Sequence, residues 1–190
     1  MNTKINYLKA QINSHFLFNS LNTLYVQIDQ KNVDAKKTLE RISEMLRYQL
    51  YECNNNTISM EKELEYLGNY IDLQKLRREN NCNISYCYDD QLRHYKIAPL
   101  LFIPFVENAF KHLSNFSERK NIVNVGIKKE GGKLICHIYN TSGNGFEKNY
   151  EGIGLKNVRR RLELLYPGKH ELNIRRTDHS FEVTLSIVLS

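Results

Sequence analysis

His15 sits in the run Leu8-Lys9-Ala10-Gln11-Ile12-Asn13-Ser14-His15-Phe16-Leu17-Phe18-Asn19, and helical spacing places Leu8, Gln11, Ile12, His15, Asn19 and Asn22 along one side. Three amides and an imidazole interrupt an otherwise apolar seam there, and polar groups in such a seam need partners or water. The residue types leave two readings open: a device that sets helix register, or a site. A second cluster lies in Pro99-Leu100-Leu101-Phe102-Ile103-Pro104-Phe105-Val106-Glu107-Asn108-Ala109-Phe110-Lys111-His112. Helical geometry gathers Glu107, Asn108, Lys111 and His112 on one side. Oxygen donors suit Mg²⁺ and cationic donors suit phosphate oxygens, so the set fits a magnesium–phosphate ligand. A solvated polar face on an amphipathic helix is the alternative. A third feature is Gly152-Ile153-Gly154-Leu155, two glycines just before a helical pattern. Backbone amides at such a turn can approach a phosphate, with help from the positive end of the helix; a plain loop-to-helix turn has the same spelling.

These residues need elements to hold them. Residues 1–80 contain no proline and read as helical. Leu17, Leu21, Leu24 and Ile28 define a first helix over 5–28. Asp34 is the expected N-cap of a second, whose stripe is Leu39, Ile42, Leu46 and Leu50. The short link 29–33 predicts an antiparallel hairpin. Asn54-Asn55-Asn56 breaks the pattern, and Leu64, Leu67, Ile71 and Leu76 mark a third helix over 59–78. From residue 83 the period changes, with strand-like runs at 84–88, 122–128, 134–139, 171–175 and 181–189. Gly131-Gly132 is the expected hairpin turn between two of these. Helical segments at 99–113 and 155–165 interrupt the strands, the latter stopped by Tyr166-Pro167-Gly168. The mixture predicts an α+β fold, a sandwich of one sheet with helices on one face. A boundary near 54–58 gives two domains, 1–56 and 57–190. A lone hairpin cannot bury its apolar surface, since Ile5, Ile12 and Phe16 add a second apolar face. Pairing two hairpins into a four-helix bundle covers that surface, so a homodimer is expected; packing on the chain's own sandwich is the alternative.

Composition narrows the classes. The chain is 41% hydrophobic and 25% charged, with no low-complexity run, which excludes a disordered polymer. Twenty-seven basic against 21 acidic residues leave +6, which suits a polyanion or a solvated basic surface. Nucleic acid is not expected as a partner, because Arg159, Arg160 and Arg161 are consecutive and point around a helix instead of forming a stripe. Cys53, Cys82, Cys87 and Cys136 form no C-x-x-C pair, so free thiols in a reducing cytoplasm are expected. No run of about 18 apolar residues or signal-peptide pattern occurs. The chain opens inside a helical pattern, which suggests a piece of a longer protein.

The histidine run resembles the phosphoacceptor motif of LytS/YehU-type sensor histidine kinases, L-K-A-Q-I-N-P-H-F-L-F-N, and departs only at Ser14, where the family carries proline. Residues 99–112 resemble the N-box of the GHKL ATPases in the P-x-x-x-x-P-x-V-E-N-A-x-K-H form of the same kinases. Residues 152–167 are similar to the family's second glycine box. The resemblance covers about residues 8–189 in the family's order. It implies a dimerisation and phosphoacceptor hairpin followed by a GHKL (Bergerat) ATP-binding domain. It implies that His15 is the phosphoacceptor, that Asn108 binds Mg²⁺, and that Lys111 and His112 touch the phosphates of ATP. Glu107 becomes the carboxylate available for proton transfer, since Phe16 stands where many histidine kinases carry an acidic residue after the histidine. Gly152, Gly154 and Leu155 belong to the phosphate-binding turn. Neutral imidazole has a free lone pair for attack on a γ-phosphate.

One box diverges. Where the family has D-x-G-x-G, this chain has Asn140-Thr141-Ser142-Gly143-Asn144-Gly145. Asn140 takes the place of the aspartate that hydrogen-bonds the adenine amine, and Gly143 and Gly145 are displaced by one. Asparagine keeps an acceptor oxygen without the charge, weakening that contact by about 1 kcal/mol. The resemblance therefore implies a two-component sensor kinase that autophosphorylates His15 with ATP and Mg²⁺ and passes the phosphoryl group to a response-regulator aspartate. The cytoplasmic part described by this chain would be anchored at the inner membrane through upstream segments. The competing expectation is a degenerate kinase acting as a dimeric binding module.

Overall fold

Two compact units, Met1–Asn56 and Thr57–Ser190, divide the chain. A computed structural model describes residues 14–53, 55–78, 82–113, 120–143 and 153–189. In the first unit α1 (Ser14–Gln27) and α2 (Val33–Arg47) are joined by a tight turn in which Asn32 N–H donates to Asp29 O at 2.9 Å. That turn starts α2 earlier than the sequence suggests. Asn32, not Asp34, is the N-cap, its side-chain oxygen accepting from Ala35 N–H at 3.1 Å. Asp34 falls in the first turn, where its charge favours the positive helix end. A π-helical turn, Tyr48–Glu52, extends α2 and brings Tyr51 against Phe18, ring centroids 6.1 Å apart. Tyr25 Oη donates to Glu40 across the hairpin. No side chain of α2 is buried, and Leu24 and Val26 are 50% and 82% exposed. Among the described residues of the hairpin, Leu39, Ile42, Leu46 and Leu50 are only half-buried.

In the second unit, β1 (Ile58–Ser59) pairs antiparallel with β3 (Lys96–Ile97), a contact too short to read from periodicity. Ser59 caps α3 (Met60–Arg77), which carries Glu61 and Glu63 in its first turn and Lys75 and Arg77 in its last, matching the helix dipole. The main sheet holds β2 (Cys82–Tyr88), β4 (Asn121–Glu130), β5 (Lys133–Thr141), β6 (His170–Arg176) and β7 (Ser180–Val188) in the order β2-β4-β5-β7-β6. Only the β2–β4 pair is parallel. Gly131 and Gly132 join β4 to β5 with φ of 55° and 77°, the pair of positive values a type I′ turn requires.

Alternation then sorts the faces. Val123, Val125 and Ile127 of β4, Leu134, Cys136 and Ile138 of β5, and Val183, Leu185 and Ile187 of β7 are all buried on one side. Over that side pack α4 (Ile103–Lys111), which touches β4, β5 and α5, and α5 (Ile153–Leu165), which touches β6. The architecture is the expected α+β sandwich. The helix read over 99–113 begins only at Ile103, because Leu100 takes a left-handed φ of 54° that no α-helix accommodates. All four cysteines are free thiols. No described helix is long and apolar enough to cross a membrane.

Candidate functional site

Strand β5 ends with a polar residue at a core position. Asn140 continues the inward register of Leu134, Cys136 and Ile138, opposite Val123 on β4 and Phe181 on β7, and is fully buried. Its Nδ2 donates to Thr141 O at 2.9 Å. Turning the amide over would set oxygen against oxygen, so the orientation is fixed. The acceptor Oδ1 is left buried without a hydrogen-bond partner among the described residues. An unmet buried acceptor costs about 1–3 kcal/mol, and an N–H donor arriving on the sheet's helix side would remove that cost.

The polar row of α4 borders the same layer. Phe105, Val106, Ala109 and Phe110 face inward and are buried, which turns Glu107, Asn108 and Lys111 outward. Glu107 and Lys111 are exposed and Asn108 is half-buried. His112 caps the helix, its N–H donating to Asn108 O. Partial burial holds the Glu107 carboxyl above its ordinary range. The phenol of Tyr70 is pushed up by burial and then by the charge of Glu107, so these two residues of α3 and α4 feel each other.

His112 moves the other way. Burial, then the charges of Lys111 and Arg176, push its imidazole below the ordinary value, so it is neutral at pH 7. The unfolded chain binds that proton more readily, so the neutral form contributes stability that is lost as pH falls below about 6.5. An NMR titration should place the His112 midpoint below that of a free histidine, and Lys111→Ala should raise it. A midpoint at or above the free value would contradict this packing.

The phosphate-turn residues divide. Gly154 lies in the first turn of α5 with no positive φ, and a Cβ added there would meet no described atom within 4 Å. Neither backbone conformation nor packing among the described residues demands glycine there. Leu155 is buried and its side chain serves the core. Gly143 follows the buried Ser142, whose N–H donates to His179 O. Gly145 and Gly152 lie outside the described residues. His15 stands on α1 in the other unit.

One group of residues carried no signal as a site. The strap 98–102 ahead of α4 has its backbone satisfied by side chains: Glu63 of α3 accepts from Leu100, Leu101 and Phe102 N–H. Arg161 of α5 donates to the carbonyls of Pro99 and Leu100, and Tyr166 Oη accepts from Ala98 N–H at 2.9 Å. In the sequence Glu63 is an ordinary helix residue and Tyr166 part of a stop signal.

Residues 3–82 match the family model described as Histidine kinase. The sensor protein LytS of Staphylococcus haemolyticus is 30% identical, covering 97% of this chain and 34% of that protein. The chain belongs to the LytS-type sensor histidine kinases. It spans about a third of the length of the curated relatives it matches. Among solved structures, the histidine kinase domain of the blue-light activated histidine kinase from Erythrobacter litoralis superposes with a TM-score of 0.55 at 19% identity, covering 98% of this chain and 96% of that one. Full-length ShkA in complex with AMPPNP gives 0.53 at 10% identity, covering 81% of this chain and 35% of that one. At those identities the likeness is one of fold. This LytS-type chain thus places the residues read from its sequence in a histidine-kinase fold: Asn140 on the inner sheet face, Glu107 to His112 along α4, and Gly154 at the start of α5.

Proposed function

We propose that the chain is the catalytic portion of a two-component sensor kinase, with unit 57–190 as the ATP-binding domain and unit 1–56 as the dimerisation and phosphoacceptor hairpin. ATP is the phosphoryl donor, His15 the acceptor, and a response-regulator aspartate the next recipient. The observation that carries the reading is the buried acceptor of Asn140. An exocyclic amine supplies the donor that Oδ1 lacks, so adenine fits the group the residues present. Asn108 is the Mg²⁺ ligand, and bound Mg²⁺ would neutralise charge on the phosphates. Lys111 supplies a cation to the phosphate oxygens, while neutral His112 can donate or accept a single hydrogen bond. Gly154 lets the start of α5 approach an anion. Glu107, held above the usual carboxylate range, is the proton acceptor for the attacking imidazole. The incompletely buried apolar stripe of α2 and the exposed Leu24 and Val26 support a homodimer, and segments outside this chain would anchor it to the cytoplasmic side of the inner membrane.

The direct test is incubation of the full chain with γ-labelled ATP and Mg²⁺. Acid-labile, alkali-stable label on the protein is the expected result; no label at millimolar nucleotide rejects the kinase. Glu107→Gln should retain ATP binding and slow labelling about 10²–10⁴-fold, the usual worth of a positioned base; labelling at the normal rate would remove Glu107 from that role.

Asn140 also favours a second reading, a degenerate kinase that signals as a dimer with little turnover, because the neutral amide holds adenine less firmly than a carboxylate. Calorimetry separates the two. Replacing Asn140 by leucine removes the unmet acceptor and also the Nδ2 donor to Thr141 O, two changes that offset, so the stability of the protein without nucleotide should change by no more than about 1 kcal/mol. ATP affinity should fall about tenfold, the worth of one hydrogen bond of roughly 1.4 kcal/mol. Unchanged ATP affinity in that variant would remove Asn140 from the base site, and no heat with the parent would favour the degenerate reading.

A further inference from the structure

The strap that introduces α4 is held from two sides. Glu63, fully buried, takes Leu100 N–H on Oε2 at 2.9 Å, and Leu101 and Phe102 N–H on Oε1 at 2.8 and 3.3 Å. From the opposite partner helix, Arg161 donates Nη1 to Leu100 O at 3.1 Å and Nη2 to Pro99 O. Tyr166, one residue beyond α5, accepts from Ala98 N–H. Burial pushes its phenol up, the Ala98 N–H and the Arg161 charge oppose that shift, and the Glu63 charge adds to it. Leu100 is the one described non-glycine residue with positive φ, a conformation that persists only where surrounding contacts over-determine it. Phe102, the N-cap of α4, offers no side-chain cap, so the carboxylate of Glu63 does that work from another helix.

The strap joins two elements that the proposed function uses together. It runs directly into α4, which carries Asn108 and Lys111. Arg161 lies eight residues along α5 from Ile153, roughly 12 Å at the helical rise, so the helix ties it rigidly to Gly154 in the first turn. A guanidinium presents two donors in a rigid fork, and here the fork grips two successive carbonyls. Surface packing alone would need no such fork.

We infer that Arg161 is a positioning residue for phosphoryl transfer: its two-carbonyl grip on Pro99 and Leu100 fixes the start of α4 relative to α5, and with it Asn108 relative to the Gly154 turn. The inference rests on the proposed nucleotide site. Asn140 belongs to β5, outside this linkage, so base binding and phosphate binding should separate when the grip is loosened.

The experiment is calorimetry with adenosine and with ATP–Mg²⁺, thermal melting, and single-turnover labelling on the full chain carrying Arg161→Lys. Lysine keeps the charge and loses the fork. The expected result is adenosine affinity within twofold of the parent, ATP–Mg²⁺ affinity down about tenfold, and the labelling rate at saturating ATP down at least tenfold. A fall in adenosine and ATP affinity by the same factor, or parent-like labelling at saturating ATP, would overturn the inference. If Arg161→Lys does not fold, Tyr166→Phe removes the single hydroxyl that accepts from Ala98 of the same strap. It should show the same selective loss for ATP–Mg²⁺ on a smaller scale, and equal losses for both ligands, or none for either, would overturn the inference again. Failure of the parent protein to bind ATP at all would instead reject the nucleotide site, a result read before any variant is made.

Discussion

His15→Ala is expected to abolish labelling by γ-labelled ATP, and the loss should be complete instead of partial. The chain holds six histidines, and His15 alone lies in unit 1–56. The other five lie in unit 57–190. His137 Nε2 is engaged by Glu182 at 2.7 Å on β5 and β7, and His170 Nδ1 by Tyr166 O at 2.7 Å. His112 is half-buried at the C-cap of α4, where burial and then the charges of Lys111 and Arg176 disfavour its protonation. A nucleophilic imidazole needs one nitrogen lone pair free and room for the transferring group, and His15 on the hairpin is the candidate that the family motif singles out. ATP–Mg²⁺ affinity should be unchanged in the variant, because the proposed nucleotide residues all lie in the other unit. Full label surviving in His15→Ala would move the acceptor elsewhere, and loss of both label and ATP binding would mean that the substitution damaged the fold.

How far the sequence foretold this site depends on which physical signal each residue carries. The Glu107 to Lys111 row was legible because a nine-residue helix, Ile103–Lys111, shows clear periodicity, with buried and outward residues sorted by type. Asn140 was legible only through the likeness of residues 140–145 to the family's glycine box; its place on the inner sheet face, in register with Leu134, Cys136 and Ile138, is shown by the fold. Its missing partner is a three-dimensional fact. The helix-start error at residue 99 has a local cause, since leucine has no preference for the left-handed region that Leu100 adopts. The earlier cap at Asn32 in place of Asp34 shows the same limit, two capping residues close together with the tight turn choosing between them. The clamp on the strap left no trace in periodicity, because Glu63, Arg161 and Tyr166 reach the strap from positions 37 to 68 residues away in sequence. Side-chain bonds to irregular backbone have no repeat to detect.

That invisibility makes the strap the strictest stability test of the structure. Glu63→Ala should destabilise unit 57–190 by about 3–5 kcal/mol, at the upper end for single substitutions. The carboxylate answers three backbone N–H groups at 0% exposure, and each buried donor left unmet costs about 1–3 kcal/mol. Water entering the vacated volume would recover part of that sum, which is why the estimate stays below a simple total. Leu100 adds to the loss, since its left-handed backbone depends on the bonds that Glu63 makes. The melting transition of the unit should fall by roughly 10–20 °C. Glu63→Gln should fall between parent and alanine, because an amide keeps one acceptor oxygen and turns its nitrogen toward donors. The comparison with Arg161→Lys then becomes informative: the carboxylate sets whether the strap forms, and the guanidinium sets where it lies. A Glu63→Ala protein melting within about 2 °C of the parent, well under the shift for 1 kcal/mol in a unit of this size, would show that the strap has other support and that Glu63 does not hold the start of α4.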